Sequence, residues 1–449
     1  AYLTANGANF NVPSGRDITV AQVLSDAPTE EGVLTKTGDG TLTLSGANSH
    51  TGVTSVNAGT LNLGNVNALG TIDEATTVAS GARVTFGTLT TASIVTENFV
   101  VSGTGIAANG ALNVGGSKTI ALSGDISLAA SASFSADGGS ALNFTSANGI
   151  TGSNTDLTFR TDNGVTSSIS GPLDLGTGSL TKIGGAALTL SGNSSYSGGT
   201  NITGGQINAT TSNNALGSGA VTVNGGVRLA VATGLTISNA ITLGTSPGAV
   251  GRGVLESTGA PGTTTVSGPI TITAGPSAGG LMYAAPGTTL HLQGAITSSV
   301  PLSLRDGTVM LSGGGTGYTA LLTTGTTIVG AANGIATSAT LTIGASAPAT
   351  LDLNGFSQTV VGLTKGAHAA TIGNSSTSAD SVITTTGTSA FAGVIKDVLG
   401  AGTRKVGLTV ASGELVLSGI NTYTGNTTVN AGTLELTDNA QLKFVLGAT

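Results

Sequence analysis

The sequence predicts an all-β chain wound as a β-solenoid, and three observations carry that reading. Helix signals are nearly absent: 73 of the 449 residues are Gly, so few windows keep the ~10–12 residues of an ordinary helix intact. Apolar residues instead recur with period two in short runs. One marked block of such runs then returns along the chain, which decides for a solenoid over a sandwich or barrel.

The strands come first. Residues 16–31 and 88–102 are among the longest Gly-free stretches, and both are rich in Val, Ile and Thr, which favours strands. Thr41-Leu42-Thr43-Leu44-Ser45, Ala187-Leu188-Thr189-Leu190-Ser191 and Ala220-Val221-Thr222-Val223 alternate apolar and hydroxyl side chains. Such runs point one set inward and the other outward. Gly, Asn and Asp punctuate the chain between them, as turns require.

The repeats come next. One block runs Leu34-Thr-Lys36-Thr-Gly38-Asp-Gly40-Thr-Leu42-Thr-Leu44-Ser45-Gly46, then Asn48-Ser-His50-Thr51-Gly52, then Val56-Asn57-Ala58-Gly59-Thr60-Leu61. A second has Leu180-Thr-Lys182-Ile-Gly184, Leu188-Thr-Leu190-Ser191-Gly192 and Tyr196-Ser197-Gly198-Gly199-Thr200. A third has Leu415-Val-Leu417-Ser418-Gly419, Asn421-Thr-Tyr423-Thr424-Gly425 and Val429-Asn430-Ala431-Gly432-Thr433-Leu434. A weaker copy spans Gly307 to Ile328 through Leu311-Ser312-Gly313 and Tyr318-Thr319. Anchored on Leu42, Leu188, Val309 and Leu415, the copies lie 146, 121 and 106 residues apart. Ordinary repeat proteins keep a period of about 20–50 residues, so the blocks are marked turns within a more degenerate array.

The expectation is therefore one solenoid over residues 1–449, with marked blocks at 34–63, 180–208, 307–329 and 408–436. At about 20–25 residues per turn it has about 20 turns, and at ~4.8 Å per strand it is roughly 90–100 Å long. Six of the ten prolines fall between Pro247 and Pro301, which places loops or a kink there. Ala1-Tyr2-Leu3-Thr4 opens in strand-like sequence and Leu442-Lys443-Phe444-Val445-Leu446 ends in an apolar one. Both ends read as cuts through a longer protein or as mature ends after processing.

The repeated block resembles the autotransporter-associated β-strand repeat, also called the passenger-associated transport repeat, of bacterial surface proteins. Residues 36–61 and 415–434 are similar to its pattern, and 182–207 nearly so. His50 stands in the Tyr position, Ser194-Ser195 where the pattern has Asn-Thr, and the last copy lacks the leading Lys. Asn214-Ala215-Leu216-Gly217-Ser218-Gly219 and Leu351-Asp352-Leu353-Asn354-Gly355-Phe356 resemble companion segments. Leu436 to Phe444 is similar to the end of such arrays in proteins with a C-terminal sorting anchor. The resemblance implies a right-handed parallel β-helix, export to the outer surface and a scaffold role without catalytic residues.

Composition excludes several classes. With 39% hydrophobic residues the chain is no charged, disordered polymer. No apolar run reaches the ~18 residues that span a membrane, and the glycines lack the period of three that collagen needs. Fourteen basic against twenty-one acidic residues, none in blocks, leave no nucleic-acid footprint. Zero Cys excludes a disulfide scaffold and thiolate metal sites. In an exported protein it also means that no periplasmic disulfide locks the chain before a further membrane crossing.

Candidate chemistry is sparse. His50, His291 and His368 are the only histidines, too scattered for a ligand or triad set; His50 reads as a substitute for the turn Tyr. Glycoside hydrolysis needs carboxylates about 5–9.5 Å apart. The fourteen Asp are dispersed, and Glu30-Glu31 and Asp73-Glu74 are the only adjacent acidic pairs; both read as solvated turns. Gly115-Gly116-Ser117-Lys118-Thr119 lacks phosphate-loop spacing and runs into a strand. Gly38-Asp39-Gly40 and Arg305-Asp306-Gly307 read as turns. No catalytic, cofactor or metal residue is assigned, and no cofactor is expected.

The leading reading is a structural or adhesive β-helix of a bacterial surface, extracellular, presenting Thr, Ser and Asn to surface glycans or other surface proteins. A second is a filament subunit joined head to tail through open strand edges. A third is a polysaccharide lyase or hydrolase, which predicts an Asp, Arg or Lys cluster on one face. None involves nucleic acid or a transmembrane segment in this chain.

Overall fold

A computed structural model describes residues 1–162, 164–244, 253–273, 280–437 and 440. Pro247, Pro276 and most of the segment read as the array's end (438, 439 and 441–444) lie outside the described residues. The chain divides into two compact units, Ala1–Thr222 and Val223–Thr449. Both are parallel β-solenoid, with about 18 turns among the described residues. Among these residues the only helical element is one 3-10 turn, Ile106–Ala108.

In the first unit the turns contribute strands to two parallel ladders, joined by a third from Ser93 onward. The first face stacks Ala8–Asn11, Leu34–Thr37, Thr54–Val56, Thr76–Val78 and Phe99–Gly103. It continues through the start of Ile126–Ala136 to Ile150–Gly152 and Leu173–Asp174. The second face stacks Asp17–Val20, Thr41–Leu44, Thr60–Leu63, Arg83–Thr85 and Leu112–Val114. The end of Ile126–Ala136, Leu157–Thr161, Leu180–Ile183 and Thr200–Ile202 follow on it. The third runs from Ser93–Val95 through Thr119–Leu122, Ala141–Phe144, Ser167–Ile169 and Ala187–Leu190 to Gln206–Ala209. Turn length varies from 19 residues (Thr41 to Thr60) to 29 (Gly103 to Ala132), wider than the expected range. Corners and loops absorb the difference while the ladder register holds.

The alternating runs set the core. Leu42 and Leu44, and Leu188 with Leu190, point inward and are buried, while Thr41, Thr43 and Thr189 face out. The interior is narrow enough for one side chain to meet its neighbours on other faces. Phe134 stacks on Phe144 at 5.2 Å between ring centroids, and Phe159 meets both edge-on. These few aromatics pack the centre of several turns.

The second unit repeats the scheme. Leu302–Leu304, Leu321–Thr323, Leu341–Ile343 and Leu363–Lys365 form one parallel run. Thr308–Leu311, Thr326–Val329, Ala349–Asp352 and Ala370–Gly373 form another. Pro286 lies where the long strand Gly280–Leu292 slips register against Leu302–Leu311, between Ala284 and Thr289. A residue without an N–H is tolerated at such a bulge.

The repeat spacing now has a geometric cause. Leu34 lies on the first face but Leu180 on the second. Following the first face from Leu34 to Leu173 takes six turns, and the next strand begins at Leu180. The block has thus advanced by six turns and one face.

The Gly of each Leu-Ser-Gly is fixed by closeness to the turn above. A methyl on Gly192 would overlap the carbonyl oxygen of Gly171, as one on Gly419 would overlap that of Gly393. Gly192→Ala is expected to destabilise the protein by about 1–3 kcal/mol. Gly115→Ala, where a methyl meets nothing, is expected to stay within about 0.5 kcal/mol. Denaturant midpoints of the two variants check this.

Candidate functional site

The feature that the repeats build in common is a buried polar clasp at the solenoid corner. In the first block the chain leaves Leu34–Thr37, turns at Gly38 (φ 72°) and enters Thr41–Leu44. The turn would leave peptide carbonyls facing a dry interior. Lys36 points inward, fully buried, and its Nζ donates to the carbonyls of Thr37 (3.0 Å), Gly38 (2.7 Å) and Ala58 on the next turn (3.0 Å). Three ammonium N–H groups thus meet three acceptors. Lys182, equally buried, does the same for Ile183 (2.6 Å), Gly184 (3.0 Å) and Gly204 (3.3 Å). Burial pushes the Lys182 ammonium down to about 8, opposed by Asp162; Lys36 is lowered too, by burial, with Asp39 opposing. The third block dispenses with the lysine. Its corner is one residue shorter, and Val410 takes the register position, paired with Val429 as Lys36 is with Val56. The strand Val406–Leu417 runs unbroken through that corner, so its carbonyls stay in the ladder.

The second half of the clasp is an aromatic ring tied to a threonine four residues on. Tyr196 Oη lies 2.5 Å from Thr200 Oγ1, and Thr200 donates to the Leu216 carbonyl on the next turn (3.0 Å). Tyr423 Oη and Thr427 Oγ1 are 2.9 Å apart. His50 fills the Tyr position with Nε2 at 3.0 Å from Thr54 Oγ1, whose hydroxyl faces the Leu69 carbonyl at 3.4 Å. Burial lowers the His50 pKa, and its Nδ1 has no partner. The companion segment Asn214–Gly219 and its counterpart Asn67-Ala68-Leu69-Gly70 supply the turn beneath these rings.

A third tie reaches to the turn above. Asn48 Oδ1 accepts the Leu24 N–H (2.9 Å) and Asn421 Oδ1 accepts the Ile395 N–H (2.9 Å). Ser194, the apparent departure from the pattern, accepts the Leu173 N–H through Oγ at 3.0 Å. Asp26 and Asp397 each bind the N–H and hydroxyl of the residue after the ring, Thr51 and Thr424. The weak copy keeps only part: Tyr318 is buried, but its hydroxyl accepts the Ala336 N–H (3.0 Å).

The other residues singled out by sequence stay apart. His368 is exposed, and His291 lies 2.8 Å from Ser312 Oγ on the neighbouring turn. Glu30, Glu31, Asp73 and Glu74 are exposed turn residues. Lys118 donates to the carbonyls of Gly87 (2.6 Å) and Leu89. Asn354-Gly355 forms a left-handed turn (φ 46° and 85°). Among the described residues no group of three or more His, Asp and Glu is placed to hold a metal, and no helix is long and apolar enough to cross a membrane.

Stacking does assemble one charged cluster that spacing could not show. Arg160 pairs with Asp162 through two bonds (3.0 and 2.9 Å), donates to Asn109 Oδ1 (2.8 Å), and lies 4.0 Å from Asp137 on the turn before. Asp137 also accepts from Asn113 (2.7 Å). These bonds fasten the segment around Ile106–Ala108 over the second face. Elsewhere Glu97 is buried with Thr76 Oγ1 donating to it at 2.7 Å, and burial raises its pKa to about 7.

A family model described as the passenger-associated-transport-repeat matches residues 34–63, 180–209 and 412–436. The chain therefore carries that repeat three times; residues 307–329 lie outside the matches. No curated protein and no solved structure matches the chain.

Three outcomes follow from the clasps and from the buried Glu97. Lys182→Met leaves three carbonyls without their donor and is expected to cost about 2–4 kcal/mol, read from denaturant midpoints. His50→Tyr supplies the hydroxyl that Tyr196 already provides and is expected to gain about 1 kcal/mol. Glu97 binds its proton more tightly folded than unfolded, so its contribution is full below pH 4.5 and is lost as pH rises towards 7. Glu97→Gln is expected to remove that fall, on the order of 3 kcal/mol, from the pH dependence of stability.

Proposed function

We propose that the protein is a right-handed β-helix scaffold of a bacterial surface or secreted protein, a passenger region that holds a surface in place and carries out no catalysis. The observation that supports this reading is the passenger-associated-transport-repeat found three times, two copies closing their corner with a buried lysine and the third with a continuous strand. A protein that crosses an outer membrane unfolded and folds outside, without chaperones or disulfides, needs strong local ties. The clasp supplies them within one turn and its neighbours, and the absence of Cys is in keeping with that route. The outward Thr, Ser and Asn ladders give a neutral surface suited to glycans or other surface proteins.

The Arg160 cluster is the Asp–Arg arrangement that an enzyme reading predicts. Its Arg160 and Asp162 groups are occupied by one another and by Asn109, which favours a fastening role. Protease treatment of intact cells of the source organism tests the reading. The expected result is loss of the full-length protein from the cell surface or its recovery in the medium. Confinement to the cytoplasmic fraction, protected until lysis, contradicts it.

A further inference from the structure

The second unit carries a hollow on its outer surface that none of the clasps explains. Val382, Gly407 and Asn426 lie side by side on successive turns, and Thr384, Thr409 and Thr428 form the parallel row two residues on. Gly407 contributes no side chain between Val382 and Asn426. The gap is a groove of about 380 Å³ lined by Asp380, Lys405, Thr409, Asn426 and Thr428 among others. That volume is at the small end of the ~300–1,000 Å³ of small-molecule sites.

The lining is chemically open. Among the described residues the side chains of Lys405, Thr409, Asn426 and Thr428 make no hydrogen bond or ion pair. Asp380 Oδ1 accepts the Lys405 N–H at 2.9 Å, and its other oxygen is left open. The groove thus offers an ammonium, hydroxyls, an amide and a carboxylate on a grid set by the ladder, ~4.8 Å between turns. An apolar ligand would strand these groups, and a bare dianion would face Asp380. A pyranose ring, whose hydroxyls both donate and accept, satisfies the mixture and can lay its C–H face on Val382.

We propose that the Gly407 groove is a saccharide-binding subsite for one or two hexopyranose units. It deepens the surface-scaffold reading by naming where a glycan is held, and it rests on that reading for its biological sense. The test is saturation-transfer NMR on the purified chain with the methyl glycosides of glucose, galactose, N-acetylglucosamine and glucuronic acid. At least one is expected to bind with a millimolar Kd, weakened about fivefold or more by Thr409→Val and by Lys405→Met. Gly407→Ala, which crowds the groove floor, is expected to abolish transfer; the two side-chain variants leave the backbone untouched should it misfold. Absence of transfer from all four glycosides, or transfer unchanged in Thr409→Val and Lys405→Met, overturns the proposal. A protein found on the cell surface that binds none of them sinks the groove alone, whereas a cytoplasmic protein sinks the scaffold reading whatever the groove binds.

Discussion

The rest of the structure depends on satisfying peptide groups at the corners. Along the faces the parallel ladders pair N–H and C=O groups with the turn above or below, so the backbone there needs little help from side chains. At a corner the chain changes direction, the ladder lapses, and carbonyls turn towards an interior that water does not enter. An unpaired buried carbonyl costs about 1–3 kcal/mol, and a solenoid meets this problem several times per turn. Lys36 and Lys182 resolve it by spending a whole ammonium on three carbonyls. Burying a charge is itself unfavourable, which the lowered pKa of both groups reflects. The third block shows the other solution, a shorter corner through which the strand simply continues.

Because each clasp draws its partners from its own turn and the two beside it, it is indifferent to which face it begins on. The first and second blocks start on different faces of the same unit, and the same ties form in both. Turns between them are free to vary in length and sequence so long as inward positions remain apolar. That independence explains how a degenerate array can hold a few strongly marked turns, and why their spacing in residues follows no single period. It also fits the scaffold reading, in which reinforced turns at intervals stabilise the less specified ones.

Much of this was legible in the chain. Period-two runs such as Thr41–Leu44 gave their own inside and outside, and the repeated blocks pointed to a solenoid. The Tyr-x-x-x-Thr spacing at 196/200 and 423/427, with His50/Thr54 beside it, was equally visible and marks the ring–hydroxyl tie. The lysine's role was not legible, because the carbonyls that Lys36 and Lys182 bind are brought around them only by the folded corner and the next turn. Ser194 looked like a departure from the pattern, yet its hydroxyl does the work of Asn48 and Asn421. The Arg160 cluster and the Gly407 groove were out of reach for a different reason. Both arise from residues on successive turns, and turns of 18 to 29 residues hide which positions stack.

The claim that the clasps are the anchoring points of the fold is tested most directly by native-state hydrogen exchange, read peptide by peptide. The account predicts that amides within residues 34–63 and 180–209 exchange most slowly, opening only with global unfolding. Exchange there as fast as in the unmarked turns between residues 64 and 179 would contradict it.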